Sequence, residues 1–341
     1  MVKTKQVKLE EQSSTPPVPS VHPKEEPAPV RHMLSLAELG VAELARLVDR
    51  SVEFAASYSK SSDAPKPLEG KIVGIYFRKP STRTRSSFTA GALRLGARTI
   101  AYGPDDLQLV TGETIEDTAR VLSGYLDALV IRTNGSLAEM KALADQSEMA
   151  VINAMSENEH PTQAIADLAT IKERFGRLAG IHVLYLGEGN NTTTALALAV
   201  AQTPGMKVTF VTPEGYGMSE PFLEQARLLA AKHGAMVEHH HGMDEPPRDV
   251  DAVYATRWQT MGVPHADPNW REKFWPYSVT PELMAQVSKP DTIFLHDLPA
   301  VRGEDVHAEV LDGPRSVAWR QARHKMFSAM AVLEWCLVAG A

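Results

Sequence analysis

Short apolar runs alternate with longer amphipathic stretches along most of this 341-residue chain, and that alternation limits what it can fold into. The runs KIVGIYF (71–77), RTIAY (98–102), DALVI (127–131) and AVIN (150–153) are each followed by a stretch with helical spacing. After Gly176 and Gly180 the pattern restarts with IHVLYLG (181–187), KVTFVT (207–212), DAVYAT (251–256) and TIFLH (292–296). Strands separated by helical crossovers pair in parallel. The two series therefore predict an α/β chain of two doubly wound parallel-sheet domains joined by helices, 34–175 and 176–315, and the length suits domains of about 150 residues each. Ser35 and Glu38 read as a capping box opening a first helix that carries Leu44, Leu47, Val48 and Val52 on one face. Residues 317–338 read as one long helix, inside a closing segment 316–341 that returns to brace the first domain.

Residues 1–33 carry six of the 23 prolines, no Phe, Trp or Tyr, and mixed charges, without the apolar centre of a secretory signal. They read as a flexible extension, and Glu10, Glu11, Glu25 and Glu26 make a poor mitochondrial presequence. No apolar run reaches the ~18 residues of a membrane span. The single cysteine, Cys336, excludes an internal disulfide and a cysteine-clustered metal site, which points to a cytoplasmic home. Lys and Arg number 35 against 42 Asp and Glu, a net charge of −7. That balance disfavours a general nucleic-acid or anionic-membrane surface, so any phosphate site must be a local concentration of donors.

In open parallel sheets ligands bind beyond the carboxyl ends of the strands, so polar residues there carry functional weight. FRKPSTRTRSSF follows the first apolar run: Ser81, Thr82, Arg83 and Thr84 stand where a helix begins, and helix N–H groups, hydroxyls and forked guanidiniums suit a phosphate oxyanion. Arg132 ends the third run. In ENEHPTQAIADL, His160 and Gln163 are three apart and face one ligand from a first helical turn.

STRTR (81–85), Arg132, HPTQ (160–163) and HDLPAVRGEDV (296–306) together resemble the aspartate and ornithine carbamoyltransferase family, over about nine tenths of the chain. The resemblance implies a first domain that binds carbamoyl phosphate, a second that binds an amino acceptor, and a homotrimer with sites shared between subunits. Neither a metal nor an organic cofactor is required. Ser81, Thr82, Arg83 and Thr84 would hold the phosphate; Thr84, Arg132 and His160 would donate to the carbonyl oxygen; Gln163 would bind the carbamoyl amide, with Leu298 and Lys325 beside it. The loop 105–122, contributed by a neighbouring subunit in the family, carries Gln108, which matches the ornithine type, and Thr111 where aspartate-type enzymes have lysine.

The acceptor side departs from both patterns. YATRWQTMG (254–262) has Thr256 where ornithine-type enzymes carry Asp, keeps Thr260 and Met261, and adds the Arg257 and Gln259 of the aspartate type. HDLP puts Asp297 in place of a cysteine. Asp297 reads either as a relocated carboxylate that holds or deprotonates the acceptor ammonium, or as a partner for a neighbouring arginine. Lys325 stands where ornithine-type enzymes have arginine, and Asn191 and Thr194 fall where acceptor contacts are expected. Glu188 reads as a cap or brace for the following helix. Trp258, Trp270 and Trp275 read either as a rigid wall around the acceptor or as ordinary loop packing. The histidines at 239–241 alternate faces in a strand and read as a solvated strand end rather than a metal site.

GEGNNT (187–192) lacks the third glycine of a dinucleotide fingerprint, and KVTFVT ends without the partner acid. The expected activity is transfer of the carbamoyl group of carbamoyl phosphate to a small amino-acid-like amine, with the mixed loop pointing to a non-standard acceptor. Ornithine itself, and a catalytically silent homologue that only binds the donor, are the alternatives.

Overall fold

The computed structural model describes residues 30–57, 65–145, 148–260 and 264–339. Strands β1 (Ile72–Phe77), β2 (Arg98–Tyr102), β3 (Ala128–Arg132) and β4 (Ala150–Met155) form a sheet of order β2-β1-β3-β4. Strands β5 (His182–Leu186), β6 (Lys207–Val211), β7 (Met236–His240), β8 (Val250–Ala255) and β9 (Ser288–His296) form a second, of order β7-β6-β5-β8-β9. Every pairing between these strands is parallel.

The helices are α1 (Val41–Ala56), α2 (Thr82–Arg94), α3 (Ile115–Ser123), α4 (Leu137–Asp145), α5 (Pro161–Phe175), α6 (Asn191–Ala201), α7 (Glu220–His233), α8 (Trp270–Phe274), α9 (Pro281–Val287), α10 (Ala308–Leu311) and α11 (Ala318–Leu337). Strands β1, β3 and β4 are buried along nearly their whole length, as strands covered on both faces by crossover helices must be. None of the described helices is long and apolar enough to cross a membrane.

Strand order places the site. From β1 the chain runs to β2 on one side, then crosses to β3 on the other; from β5 it runs to β6 and β7, then crosses to β8. At each reversal the crossovers leave on opposite faces, which opens a crevice beyond the carboxyl ends of β1 and β3 in one domain and of β5 and β8 in the other. The buried helix α5 runs from β4 toward the second domain. Helix α11 returns from the second domain and packs on α1, α2 and α5. Arg50 grips Glu334 through Nε and Nη2 at 2.6 and 2.9 Å, Trp335 Nε1 donates to Glu43 at 2.6 Å, and His324 pairs with Glu173 at 3.0 Å.

Three local features differ from the sequence expectation. Ser35 accepts from the Ala37 amide and caps a short 3-10 turn (Leu36–Glu38), Glu38 pairs with Lys141, and α1 starts only at Val41. The edge strand β7 begins at Met236, ahead of the strand end read at the histidines 239–241, and its polar MVEHH faces solvent on one side. Residues 31–33, read as the end of an extension, lie against the first sheet: Met33 is fully buried and its amide donates to Val151 O at 2.9 Å.

Phe327, fully buried on α11, fills the seam between that helix and the first domain. Phe327→Ala is expected to lower unfolding stability by about 3–5 kcal/mol, read from the urea midpoint; a change within experimental error would show that α11 is not part of the core.

Candidate active site

Two crevices from separate sheets meet in one cleft of about 250 Å³. On its first-domain side, β1 ends at Phe77, Pro80 stops the strand, and Ser81 caps α2 with an extended backbone (φ −158°) but no side-chain hydrogen bond to the helix. The amides of the first turn, with the Ser81, Thr82 and Thr84 side chains, thus face the cleft. Arg132 ends β3 where the β3–β4 register slips between Ile131 and Arg132, an irregularity that re-aims a side chain. Its Nη1 donates to Thr84 Oγ1 at 3.4 Å. His160 caps α5 immediately before Pro161, and its amide donates to Asn191 O of the second domain at 3.2 Å.

Behind this wall lies a buried polar chain. Lys325 of α11 donates to Gln163 Oε1 and sits 3.5 Å from His160 Nε2. Gln163 Nε2 donates to Asp167 at 2.8 Å, and Asp167 also accepts from Gln321 at 2.7 Å and from Tyr254 at 3.2 Å. Asp167 therefore ties α5 to α11 and to β8, and it orients the Gln163 amide with Oε1 toward Lys325.

The second-domain side is organised by strand register. Ala255 of β8 pairs with His296 of β9, which sets the following residues, Thr256 and Asp297, side by side. The hydroxyls of Thr256 and Thr192 donate to Asp297 at 3.1 Å each. Of the two sequence readings for Asp297, pairing with an arginine is not what binds it: its hydrogen bonds come from hydroxyls. His296 accepts the Leu298 amide on Nδ1 at 2.8 Å and donates Nε2–H to Asp305 at 2.6 Å, which in turn accepts the Val301 amide at 2.7 Å. This clamp holds Leu298 at a left-handed φ of 57°, a conformation that needs such support. The Leu298 carbonyl accepts from Arg83 Nη2 at 2.6 Å, a bond between the two domains.

Of the residues singled out in the sequence, Ser81, Thr82, Arg83, Thr84, Arg132, His160, Gln163, Asn191, Thr256, Arg257, Gln259, Thr260, Asp297, Leu298 and Lys325 line this cleft. Three do not. Gln108 lies in an exposed turn away from it, accepting from the Thr111 hydroxyl at 2.7 Å. Thr194 is buried in α6 with its hydroxyl on Asn190 O. Met261 falls outside the described residues.

Asn190, not Glu188, caps α6, through a capping box with Thr193. Glu188 instead accepts from the amide and hydroxyl of Thr260 at 2.8 and 2.7 Å and lies 3.4 Å from His265, bracing the loop after β8. Trp258 packs with Trp270 and Phe274 behind that loop, and no tryptophan lines the cleft. His239 bonds Thr212 at 2.8 Å. Thr192 and Asp167 were missed by sequence reasoning, because their roles depend on contacts across the fold, and His296 and Asp305 were seen only as part of the 296–306 motif, without their clamp.

The electrostatics are lopsided. Arg83, Arg132 and Lys325 converge on the cleft, and burial followed by Arg132 pushes Lys325 down to about 7. Burial followed by Lys325 holds His160 well below its usual value, hence neutral. Burial raises Asp167 to about 7. Arg132 Nε and His160 Nδ1 are buried with no hydrogen-bond partner among the described residues. Such a set of underused donors accepts an anion with a carbonyl oxygen far more readily than it accepts a cation.

Known proteins match at this level of detail. The carbamoyl-P binding domain of the aspartate/ornithine carbamoyltransferase family matches residues 31–173, and its Asp/Orn binding domain matches residues 179–336. An ornithine carbamoyltransferase of Oceanobacillus iheyensis is 39% identical over 89% of this chain and 93% of its own length. Another, from Methanothermobacter thermautotrophicus, is 38% identical over 90% of this chain and 99% of its own. Among solved structures, ornithine carbamoyltransferase from Pyrococcus furiosus superposes with a TM-score of 0.84 at 36% identity, covering 91% of this chain and 98% of that one. The enzyme from Gloeobacter violaceus gives 0.79 at 34%, covering 91% and 100%. Two matched domains, joined in the same order around a cleft rich in anion donors, make this chain a carbamoyltransferase and a member of the aspartate/ornithine carbamoyltransferase family.

Proposed function

We propose that this enzyme moves the carbamoyl group of carbamoyl phosphate to the side-chain amine of ornithine, yielding a ureido amino acid and phosphate. The observation that carries the reading is the meeting of Ser81–Thr84, Arg132, His160 and Gln163 with Thr256, Arg257, Gln259, Thr260 and Asp297 in one cleft. The names of the relatives favour ornithine over the non-standard acceptor expected from the mixed loop. Full retention of STRTR, Arg132 and HPTQ speaks against a silent homologue.

The reaction requires a neutral amine to attack a carbonyl carbon, negative charge to build on the carbonyl oxygen, and a phosphate dianion to leave. No covalent nucleophile is needed. In this reading Ser81, Thr82, Arg83 and the first turn of α2 hold the phosphate, and Arg83 exchanges Leu298 O for it. That exchange frees the Leu298 carbonyl, with Gln163 Oε1, to accept from the carbamoyl NH₂. Thr84, Arg132 and His160 donate to the oxygen, strongest where charge develops. Asp297 faces the amine, holds its ammonium form and takes the proton that it must lose before attack; Arg257, Gln259 and Thr260 take the carboxylate end, with Asn191 lining the same cleft and Met261 next to Thr260 in the chain. Thr256 lacks the charge expected at its place, and by holding Asp297 it supports the carboxylate that stands in for it.

Gln108 lies outside its own cleft, and Ile100, Val110, Val121 and Tyr125 on the same part of the first domain are exposed large apolar side chains. Both features support a homotrimer in which this loop completes a neighbour's site.

Four outcomes test the reading. Arg132→Ala is expected to lower kcat by ~10²–10³ with the fold intact by circular dichroism; substantial remaining turnover would remove it from the oxygen site. Asp297→Asn is expected to cut kcat/KM for ornithine by at least about tenfold, while the KM for carbamoyl phosphate changes little. In an acceptor panel scored by product mass, better turnover of aspartate or of a shorter diamine than of ornithine would overturn the acceptor assignment. Finally, mixing separately inactive Gln108→Ala and Arg132→Ala proteins under subunit exchange should regenerate activity, since some sites then draw Arg132 from one variant and Gln108 from the other; no recovery would refute shared sites.

A further inference from the structure

Lys325 is the one member of the cationic group in the cleft that is able to lose its charge, since a guanidinium stays protonated. It projects from the middle of α11 and is 5% exposed. Arg83 faces it from α2, Arg132 from the end of β3, His160 and Asp167 from α5, and Asp297 from the segment after β9. On its own helix, His324 is turned away to Glu173. Neither carboxylate bonds the lysine directly: Asp167 is occupied by Gln163, Gln321 and Tyr254, and Asp297 by Thr192 and Thr256. What the ammonium touches is the Gln163 amide oxygen and the neutral His160 ring. With burial and Arg132 holding it near 7, the lysine is largely neutral in mildly alkaline solution. A dianion set among Arg83, Arg132 and Lys325 reverses that balance, because an adjacent opposite charge favours the charged form.

We propose that Lys325 takes up a proton as the dianionic carbamoyl donor enters the cleft and returns it when phosphate and the ureido product leave. The inference rests on the donor site described under the proposed function. It gives the cleft a third full positive charge only while an anion is present to neutralise it, so the empty site avoids the repulsion that a permanent cation at 325 would impose. The sign of the pH dependence follows. At low pH the lysine is protonated in both states and contributes no pH dependence. Above the value it has in the empty cleft, binding must include proton uptake, so donor affinity falls by up to about tenfold per pH unit until the value in the complex is passed.

The test is calorimetric titration of the full-length protein with fresh carbamoyl phosphate at mildly alkaline pH, in two buffers of different ionisation heat. Wild type is expected to take up close to one proton per donor bound, and Lys325→Arg, whose side chain is always charged, close to none. Should Lys325→Arg fail to fold, the wild-type affinity series against pH decides alone, and a flat series overturns the inference. Uptake retained undiminished in Lys325→Arg would also overturn it, moving the titrating group to His160. Donor binding without proton uptake refutes this inference and leaves the donor site standing; no donor binding by wild type sinks both.

Discussion

Arg83, Arg132 and Lys325 come from three different elements and converge on one cleft, and among the described residues no carboxylate is bonded to any of them. Desolvated like charges repel, and their solvation loss goes uncompensated until a counter-charge arrives. The chain holds them there because each is positioned by the fold itself, and the lowered pKa of Lys325 limits the repulsion in the empty cleft. Arg83 follows from a helix start at the end of β1, Arg132 from the end of the central strand β3, and Lys325 from a 20-residue helix buried against three others. An anion is then the natural complement of the site, and binding energy is spent where charge builds up during reaction rather than on reorganising the protein.

The second domain supplies a different kind of order. Its polar residues are largely tied to one another: Thr192 and Thr256 to Asp297, Glu188 to Thr260, His296 to Asp305 and to the Leu298 amide. These bonds orient groups toward an amine acceptor and fix the Leu298 carbonyl at the boundary with the first domain. Arg83 reaching that carbonyl, and His160 reaching Asn191 O, make the two halves of the cleft a single hydrogen-bonded unit.

Much of this was legible before any coordinates. Strand-end position alone picked out Ser81–Thr84, Arg132, His160 and Gln163, because a parallel sheet delivers the residue after each strand to the same edge. Legibility failed where function depends on pairing across distance. That Thr256 and Asp297 touch follows from the β8–β9 register, which periodicity does not encode. Thr194 was read as an acceptor contact, yet two residues along a helix rotate a side chain by about 200°, and it is Thr192 that lines the cleft. Asp167 looked like one more polar residue on α5, and its role appears only once α11 and β8 are packed around it. Glu188 sat at a plausible capping position, but Asn190 caps better and freed the carboxylate to brace a loop some seventy residues away. Only the histidine end of β7 was read as strand, because its polar MVEHH carries no apolar run.

The central claim is that the cationic cleft is built for a dianionic carbamoyl donor, and urea unfolding in the cold with and without carbamoyl phosphate tests it most directly. A ligand that binds only the folded chain adds about 2.7 kcal/mol of stability at a hundred times its dissociation constant. The account predicts a rise in the urea midpoint that saturates with donor concentration and is abolished when Arg83 and Arg132 are both replaced by Ala. An unmoved wild-type midpoint at saturating donor, or an equal rise in the double variant, would contradict it.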